Sequence, residues 1–432
     1  MEQWEQQAFA APEGREEYMQ RNHIRRRKRA YIGGLLTGAG ATVLLAVVLA
    51  VVLLVTGTIT VGGAGQETVS ENGMLLDEAA TLKLDRLAME IYANYYEDID
   101  EDALIDGVYK GLFSGLGDPY SVYYTPEEYQ EIMIDTTANY YGIGAALQQN
   151  KNTMEVTITR VYDDSPAYKA GLKAGDRIVM VEDIEAVTME LSELVTHIRG
   201  EEGTSVHLQI VRDDEPMEFD VERGEVDIPT VEHRMLDDEI GYIEVVEFAQ
   251  NTPGYFQQAI EDLQAQGMKK MVIDLRNNGG GLVVACQQML DMLLPQGVLF
   301  YTEDKYGNRQ DYTSEGSTYL DIPVAVLVNG YSASASEIFA GAVRDYGYAT
   351  LIGTTTFGKG IVQNVRQMED GSAYKITVAR YYTPNGDYIH GVGITPDVEL
   401  EFEYLGDADT DYDELQDNQV LKAMEVLRGE VQ

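Results

Sequence analysis

The residues most able to do chemistry in this 432-residue chain are clustered hydroxyls, a run of glycines and one enclosed lysine. In "SASASE", Ser332, Ser334 and Ser336 alternate with alanine directly ahead of a helical pattern, and Glu337 stands three residues after Ser334. A serine hydroxyl attacks a carbonyl once a neighbouring base takes its proton. The same residues also fit a capping box, in which Ser334 and Glu337 satisfy N–H groups at a helix start. The elbow signature G-x-S-x-G is absent, because no glycine lies two residues to either side of Ser334. In "DLRNNGGGLV", Gly279, Gly280 and Gly281 fall at a strand-to-helix junction. Such a run makes either a tight turn or a nest of N–H donors suited to phosphate or an oxyanion. "GTTTFGKG" satisfies G-x-x-x-x-G-K through Gly353, Gly358 and Lys359, but Gly360 stands where the magnesium-binding Ser or Thr belongs and a strand-like run follows. That removes a nucleotide loop and leaves a lysine held between two glycines. A lysine at its ordinary pKa of about 10.4 is protonated, so it acts as a base only where burial disfavours its charge. Phe357 and the apolar "GIV" beside Lys359 are consistent with such a setting.

Other chemistries are poorly supplied. His23, His197, His207, His233 and His390 are scattered with no metal spacing, leaving His233 or His390 as the histidines available to a serine triad. "DADTDYDE", residues 407–414, begins like a calcium loop but has Tyr412 where glycine is required and Asn418 where the bidentate glutamate belongs, so it reads as a solvated acidic linker. No metal or other cofactor is expected. Lone Cys286 excludes an intrachain disulfide framework. With 31 Lys+Arg against 73 Asp+Glu, a net charge of −42 argues against a nucleic-acid partner.

The elements that position these groups follow from patterning. Residues 31–66 carry no charge and contain "ATVLLAVVLAVVLLV", longer with its flanks than the roughly 20 residues that span a bilayer. Arg25 to Arg29 precede it as an unbroken basic run, so the positive-inside rule puts the N-terminus in the cytoplasm and the rest outside. No clear A-x-A site follows, which favours an uncleaved single-pass anchor in the cytoplasmic membrane over a signal peptide. Gly34 and Gly38 form a GxxxG pair, a weak pointer to helix pairing. Amphipathic helical patterns then run to about Met133, interrupted by "GDPYSVYY"; short β-branched runs follow to about Val226, and beyond Ile228 strands alternate with helices. The fold class expected is therefore α+β multidomain, with a mixed α/β core whose ligand sites lie where strands end.

The stretch "YYGIGAAL" with "SPAYKAGLKAGDRI" resembles a PDZ domain. The resemblance implies that Tyr141, Gly142, Ile143 and Gly144 form the loop whose N–H groups receive a peptide's terminal carboxylate, the peptide adding as a strand to the sheet edge. Glu182-Asp183 replaces the family's usual Asn-Gly or Asp-Gly, so that hairpin is expected to be looser.

Taken in order, the anchor, the arm with "GDPYS", the PDZ-like module, "DLRNNGGG", "SASASE", "GTTTFGKGIVQ" and "YYTPNGDYIHGVGITPD" resemble the carboxy-terminal processing peptidases over residues 75–430. The resemblance implies a serine endopeptidase with Ser334 as nucleophile, Lys359, 25 residues on, as general base, and Gln363 positioning the lysine. Alternation along a strand would put Lys359, Ile361 and Gln363 on one face. The oxyanion would meet the N–H of Ala335 and one from Gly279 or Gly280, the family pattern favouring Gly280. The implied layout is a basic tail (1–30), transmembrane anchor (31–58), linker (59–74), N-terminal helical arm (75–138), PDZ-like domain (139–226), peptidase core (227–404), and acidic linker with C-terminal helix (405–432). Expected partners are proteins or peptides with free apolar C-termini, the membrane, and a homo-oligomer or activating partner. The competing reading is a non-catalytic PDZ-bearing scaffold on a peptidase-like fold.

Overall fold

The computed structural model describes residues 76–316, 320–407 and 412–430. The proposed anchor, the basic tail and the linker lie outside the described residues. Among those described, no helix is long and apolar enough to cross a membrane.

The chain divides into two compact units at the Pro119–Tyr120 bond. The first holds helices α1 (Glu78–Asn94) and α2 (Glu101–Ser114). Each starts on an aspartate cap: Asp77 accepts from the Ala80 N–H at 2.7 Å and Asp100 from Ala103 at 3.0 Å. Acidic first turns add a favourable interaction with the helix dipole.

The second unit opens with β1 (Val122–Tyr124) and α3 (Pro126–Thr137). Pro126 at the first helical turn and a complete Thr125/Glu128 capping box start α3. Thus the stretch read as arm contains a strand, which pairs with a core strand described below. A two-stranded ribbon of β2 (Asn139–Gly142) and β9 (Gly224–Asp227) closes the base of the next module. Within it lie β3 (Ala145–Gln149), β4 (Val156–Val161), α4 (Pro166–Ala170), β5 (Arg177–Val181), β6 (Ile184–Glu185), α5 (Leu191–Ile198), β7 (Ser205–Arg212) and β8 (Glu215–Glu222). The sheet runs β3-β4-β5-β7-β8, with β6 on β5 and β3 at the edge. Ile158, Ile178, Leu194, Leu208 and Ile210 fill its core. Glu182 and Asp183 do turn the chain between β5 and β6, with Glu182 at φ 51°. The turn is pinned to β7, since the Glu182 N–H donates to the His207 carbonyl (2.8 Å) and its carboxylate accepts the His207 N–H (3.0 Å).

The core holds β10 (Val231–Met235), β11 (Ile240–Val245), α6 (Thr252–Ala265), β12 (Lys270–Asp274), α7 (Val283–Leu293), β13 (Gly297–Asp304), β14 (Arg309–Ser314), β15 (Val324–Val328), α8 (Ala335–Asp345), β16 (Ala349–Gly353), β17 (Ile361–Gln367), β18 (Ala373–Tyr382), β19 (Val398–Glu399) and α9 (Asn418–Arg428). Its main sheet has the order β10-β11-β12-β15-β16-β19, parallel throughout except at β10–β11. Val324–Val328 is buried at every position, as a strand covered on both faces must be. Phe256, Leu263, Met289, Leu293, Ile338 and Phe339 from α6, α7 and α8 pack one face. Val420, Met424 and Leu427 of α9 pack the other against Tyr242, Val272 and Leu327. A second, antiparallel sheet centres on the ten-residue β18, which pairs with β17 and also with β1 and β13.

One expectation about the tail needs correction. The end of the presumed acidic linker is folded into the core: Glu414 is 8% exposed and Asp417 is fully buried. Both carboxylates face arginines, Glu414 pairing with Arg234 and Asp417 with Arg276. A run of acids is solvated only where no buried cation faces it.

Candidate active site

The candidate residues sit on loops leaving the carboxyl ends of three adjacent parallel strands: β12 leads to Gly279 and Gly280, β15 to Ser334, and β16 to Lys359. Such strand ends are where open α/β sheets place ligand sites.

Ser334 makes the turn from β15 into α8 with φ 56° and ψ −115°, a conformation that L-residues rarely adopt and that costs of order 1–3 kcal/mol. This is a strained strand-turn-helix arrangement without the glycines of G-x-S-x-G. The close approach comes from another loop. A Cβ on Gly280 would lie 2.6 Å from the Ala333 carbonyl oxygen, 2.8 Å from Ser334 Cβ and 2.9 Å from the Ala335 nitrogen, and Gly280 has φ +100°. Only glycine fits there.

The three serines are inequivalent. Ser332 is buried, donating its hydroxyl to the Leu275 carbonyl (2.8 Å) and accepting from the Asn329 N–H (2.9 Å). Ser336 is buried and donates to the Asn278 carbonyl at 2.9 Å, which also accepts the Ala333 N–H at 3.0 Å. Both therefore fasten the turn to the β12 loop, while Ser334 is partly exposed.

Glu337, expected only as a capping partner, does more. It is fully buried in the first turn of α8. Its Oε2 accepts the N–H of Ser334 (2.9 Å) and of Lys359 (2.7 Å). Its Oε1 accepts the Gly358 N–H (2.7 Å) and the Thr356 hydroxyl (2.6 Å). The Glu337 N–H in turn donates to the Ser334 carbonyl at 2.8 Å. One carboxylate thus holds the backbones of Ser334 and Lys359 together across 25 residues of sequence. The capping-box spacing pointed to Glu337, but nothing local pointed to its second pair of donors.

Lys359 is half-buried, with Nζ 4.8 Å from the centroid of the Tyr120 ring, a cation–π distance. Strand β17 begins at Ile361, so strand alternation does not extend back to Lys359. Gln363 pairs with Thr377 next to a register shift, and its Nε2 lies 3.5 Å from both Thr377 Oγ1 and the Ile361 carbonyl, at the outer edge of hydrogen-bond range.

Of the backbone groups expected to meet an oxyanion, Ala335 lies at the start of α8, and Gly280 is pressed against it. The Gly280 N–H, however, donates to Asn278 Oδ1 at 2.8 Å. Gly279 faces open space, since a Cβ there would meet nothing within 4 Å. Beneath the turn, Tyr381 donates its hydroxyl to the Ser334 carbonyl (3.3 Å) and Cys286 Sγ lies 3.3 Å from the Ala335 carbonyl. Burial raises both groups well above their ordinary pKa values, so this floor stays neutral. Of the two histidines open to a triad, His233 lies on the edge strand β10, 3.4 Å from Asp262, whereas His390 abuts Gly360 and the edge of Tyr120. Among the described residues, no group of His, Cys, Asp and Glu has the arrangement of a metal site.

In the β3–β8 module, Tyr141 to Gly144 span the end of β2 and the entry to β3. Ile143 is buried and its carbonyl accepts the Ala167 N–H at 2.7 Å, while Gly144, at φ +76°, leaves no room for a Cβ against Ser165 (2.3 Å). Tyr140 underlies the loop, its hydroxyl pushed up to about 12 by burial, with Tyr162 adding to the rise and Arg199 opposing it. Gln149 ties β3 to the start of α5, donating to the Met189 carbonyl (2.9 Å) and accepting from the Leu191 N–H (3.0 Å). Tyr141 is exposed.

Comparison with known proteins agrees with this layout. Residues 239–400 match peptidase family S41, residues 157–212 the PDZ domain, and residues 60–128 the activating protease CtpB N-terminal domain. The chain is 34% identical over 354 residues to the carboxy-terminal processing protease CtpA of Bacillus subtilis (strain 168), spanning 82% of this chain and 74% of that protein. It is 33% identical over 353 residues to a "Probable CtpA-like serine protease" of Staphylococcus epidermidis, spanning 81% and 71%. The photosystem II D1 C-terminal processing protease is similar at 31% identity and a TM-score of 0.44, covering 75% of this chain and 88% of that one. With a strained serine turn at the end of a parallel sheet, a PDZ domain and curated relatives 33–34% identical over four-fifths of its length, the chain belongs to the carboxy-terminal processing proteases of peptidase family S41 and is a serine endopeptidase.

Proposed function

We propose that the protein cleaves extracytoplasmic proteins near their C-terminal tails by a Ser334–Lys359 dyad. The observation that carries this reading is the Glu337 carboxylate, whose Oε2 accepts the N–H of both residues. In the proposed reaction, neutral Lys359 takes the Ser334 hydroxyl proton as Oγ bonds to the scissile carbonyl carbon. The proton then passes to the departing amine, and water attacks the acyl-enzyme with Lys359 again as base. The oxyanion of each tetrahedral intermediate is assigned to the Ala335 N–H and one from the Gly279–Gly280 loop. Recruiting Gly280 requires its N–H to leave Asn278. Gln363 is assigned the positioning of Lys359.

The PDZ domain is assigned recognition of the substrate C-terminus, with carboxylate capture at Tyr141, Gly142, Ile143 and Gly144 and strand addition at the β3 edge. Apolar tails are the ligands proposed for this loop. Residues 31–58 anchor the protein in the cytoplasmic membrane as a single pass, N-terminus inside and peptidase outside. Arm, PDZ and core take the sequence-derived boundaries given above.

The deciding experiment is hydrolysis of an unstructured protein with an apolar C-terminus by the wild type and by Ser334→Ala, Lys359→Ala and His390→Ala. Loss of activity in the first two with retention in the third is expected. Equal cleavage by all would overturn the dyad assignment, absence of cleavage by the wild type would leave a scaffold, and loss only in Ser334→Ala and His390→Ala would move the base to His390.

A further inference from the structure

Arg276, two residues past β12, is 6% exposed and uses every one of its donors. Nε meets both Asp274 oxygens at 3.0 Å, and the second guanidinium nitrogen meets Asp274 Oδ2 at 2.6 Å and the Tyr412 hydroxyl at 3.5 Å. The remaining nitrogen meets Asp417 Oδ2 at 2.7 Å and Gln419 Oε1 at 2.8 Å. Burial works against the guanidinium charge, yet Asp274 and Asp417 hold its pKa well above the ordinary value. Asp417 also caps α9, accepting the N–H of Gln419 (2.8 Å) and of Val420 (3.2 Å), and it accepts the Tyr412 hydroxyl. Gln419 passes its amide to the Leu400 carbonyl at 2.5 Å.

A buried ion-pair network of this kind often adds little net stability over apolar packing, and in some proteins what it contributes is fixed geometry. The residues fixed are those that support the nucleophile. Directly after Arg276, the Asn277 N–H donates to Asn329 Oδ1 (3.0 Å), at the end of β15. The Asn278 carbonyl carries both Ala333 and Ser336, and its side chain holds the Gly280 N–H.

We propose that the carboxy-terminal segment Tyr412–Gln419 is a positioning element of the active site: through Arg276, Asp417 and Gln419 set the placement of residues 277–280 beneath Ser334. This rests on Ser334 being the nucleophile. Asp417 and Gln419 touch no reacting atom and act only through Arg276, and they lie outside the span 239–400 of the peptidase family match.

The test uses the full chain, with kcat and KM on the unstructured protein substrate and the rate of Ser334 labelling by a fluorophosphonate. Asp417→Asn keeps the shape and removes the charge. Expected is a fall in kcat and in labelling of about 10- to 100-fold, the scale of a misplacement near 1 Å, with KM within about twofold and native circular dichroism. Should Asp417→Asn not fold, Tyr412→Phe removes the hydroxyl's bond to Asp417 and its long contact with Arg276 and is expected to lower kcat about threefold. Because Ser336→Ala loosens the same loop from the other side, its effect on kcat combined with either variant should be less than multiplicative. Folded variants with unchanged kcat and labelling, or effects that simply multiply, overturn the proposal. If Ser334→Ala itself cleaves and the wild type is not labelled at Ser334, the nucleophile assignment fails instead.

Discussion

Replacing Glu337 by glutamine tests whether one carboxylate aligns Ser334 and Lys359. The better-placed amide keeps its oxygen toward the N–H groups of Ser334 and Lys359 and turns its nitrogen toward Thr356 and Gly358. The Thr356 hydroxyl, already accepting the Ile394 N–H at 2.7 Å, has a second lone pair for the new donor, although its own proton loses the Glu337 oxygen it met at 2.6 Å. The Gly358 N–H has no such remedy, since it meets an NH₂ where it met an oxygen at 2.7 Å. One buried, unpaired N–H costs about 1–3 kcal/mol, and weakening two charge-assisted bonds to neutral ones adds about 1–2 kcal/mol. The orphan lies one residue before Lys359, so relaxation of the loop moves the proposed base. If about 1.4–2.8 kcal/mol of the penalty falls on the transition state, kcat drops about 10- to 100-fold, with KM little changed. Steady-state cleavage of an unstructured protein beside a thermal melt separates the contributions. A Glu337→Gln protein that melts at lower temperature yet keeps kcat within about twofold would refute the alignment argument and leave Glu337 a structural cap.

Three further outcomes follow from packing and burial. Gly280→Ala drives a Cβ into the Ala333 carbonyl and Ser334 Cβ at a positive φ and is expected to cost about 2–5 kcal/mol by overpacking and backbone strain. Gly279→Ala, pointing into open space, should melt within a few degrees of the wild type; equal melting of the two would contradict the assigned geometry. Tyr242 and Tyr381 are held protonated by burial, the nearby Asp274 adding to the rise at Tyr242 and Glu337 at Tyr381. Their contribution to stability is complete below the unfolded phenol pKa of about 10 and declines as pH climbs above it. Urea midpoints should therefore fall in strong alkali, and phenolate absorbance from these two residues should appear only with unfolding; phenolates forming in folded protein would count against it. Buried Cys286, likewise raised, should resist thiol reagents until the chain unfolds.

The alternation of strands and helices and the Gly-punctuated PDZ pattern were readable because each is a local statement about period and turn chemistry. So was the helix start at Ala335. The division of labour among Ser332, Ser334 and Ser336 was not, for it depends on carbonyls of Leu275 and Asn278 some 57 and 58 residues away in the chain. Glu337 was legible as a cap and illegible as the acceptor for Gly358 and Lys359, because a capping motif says nothing of a second loop. The acidic tail misled for a related reason: charge runs are judged by composition, whereas Asp417 is decided by one buried arginine. At Ser334 the missing glycines hid an elbow whose space is supplied by Gly280 in a separate loop.

The backbone of Ser334 carries a further implication. Its φ and ψ belong to a region in which glycine rests without strain, so Ser334→Gly should yield a protein that is inert yet tolerates more heat than the wild type. At this one position thermal robustness and turnover select opposite residues. A catalogue of stabilising substitutions in this fold would therefore point to its proposed nucleophile, a trade between durability and work written into a single pair of torsion angles.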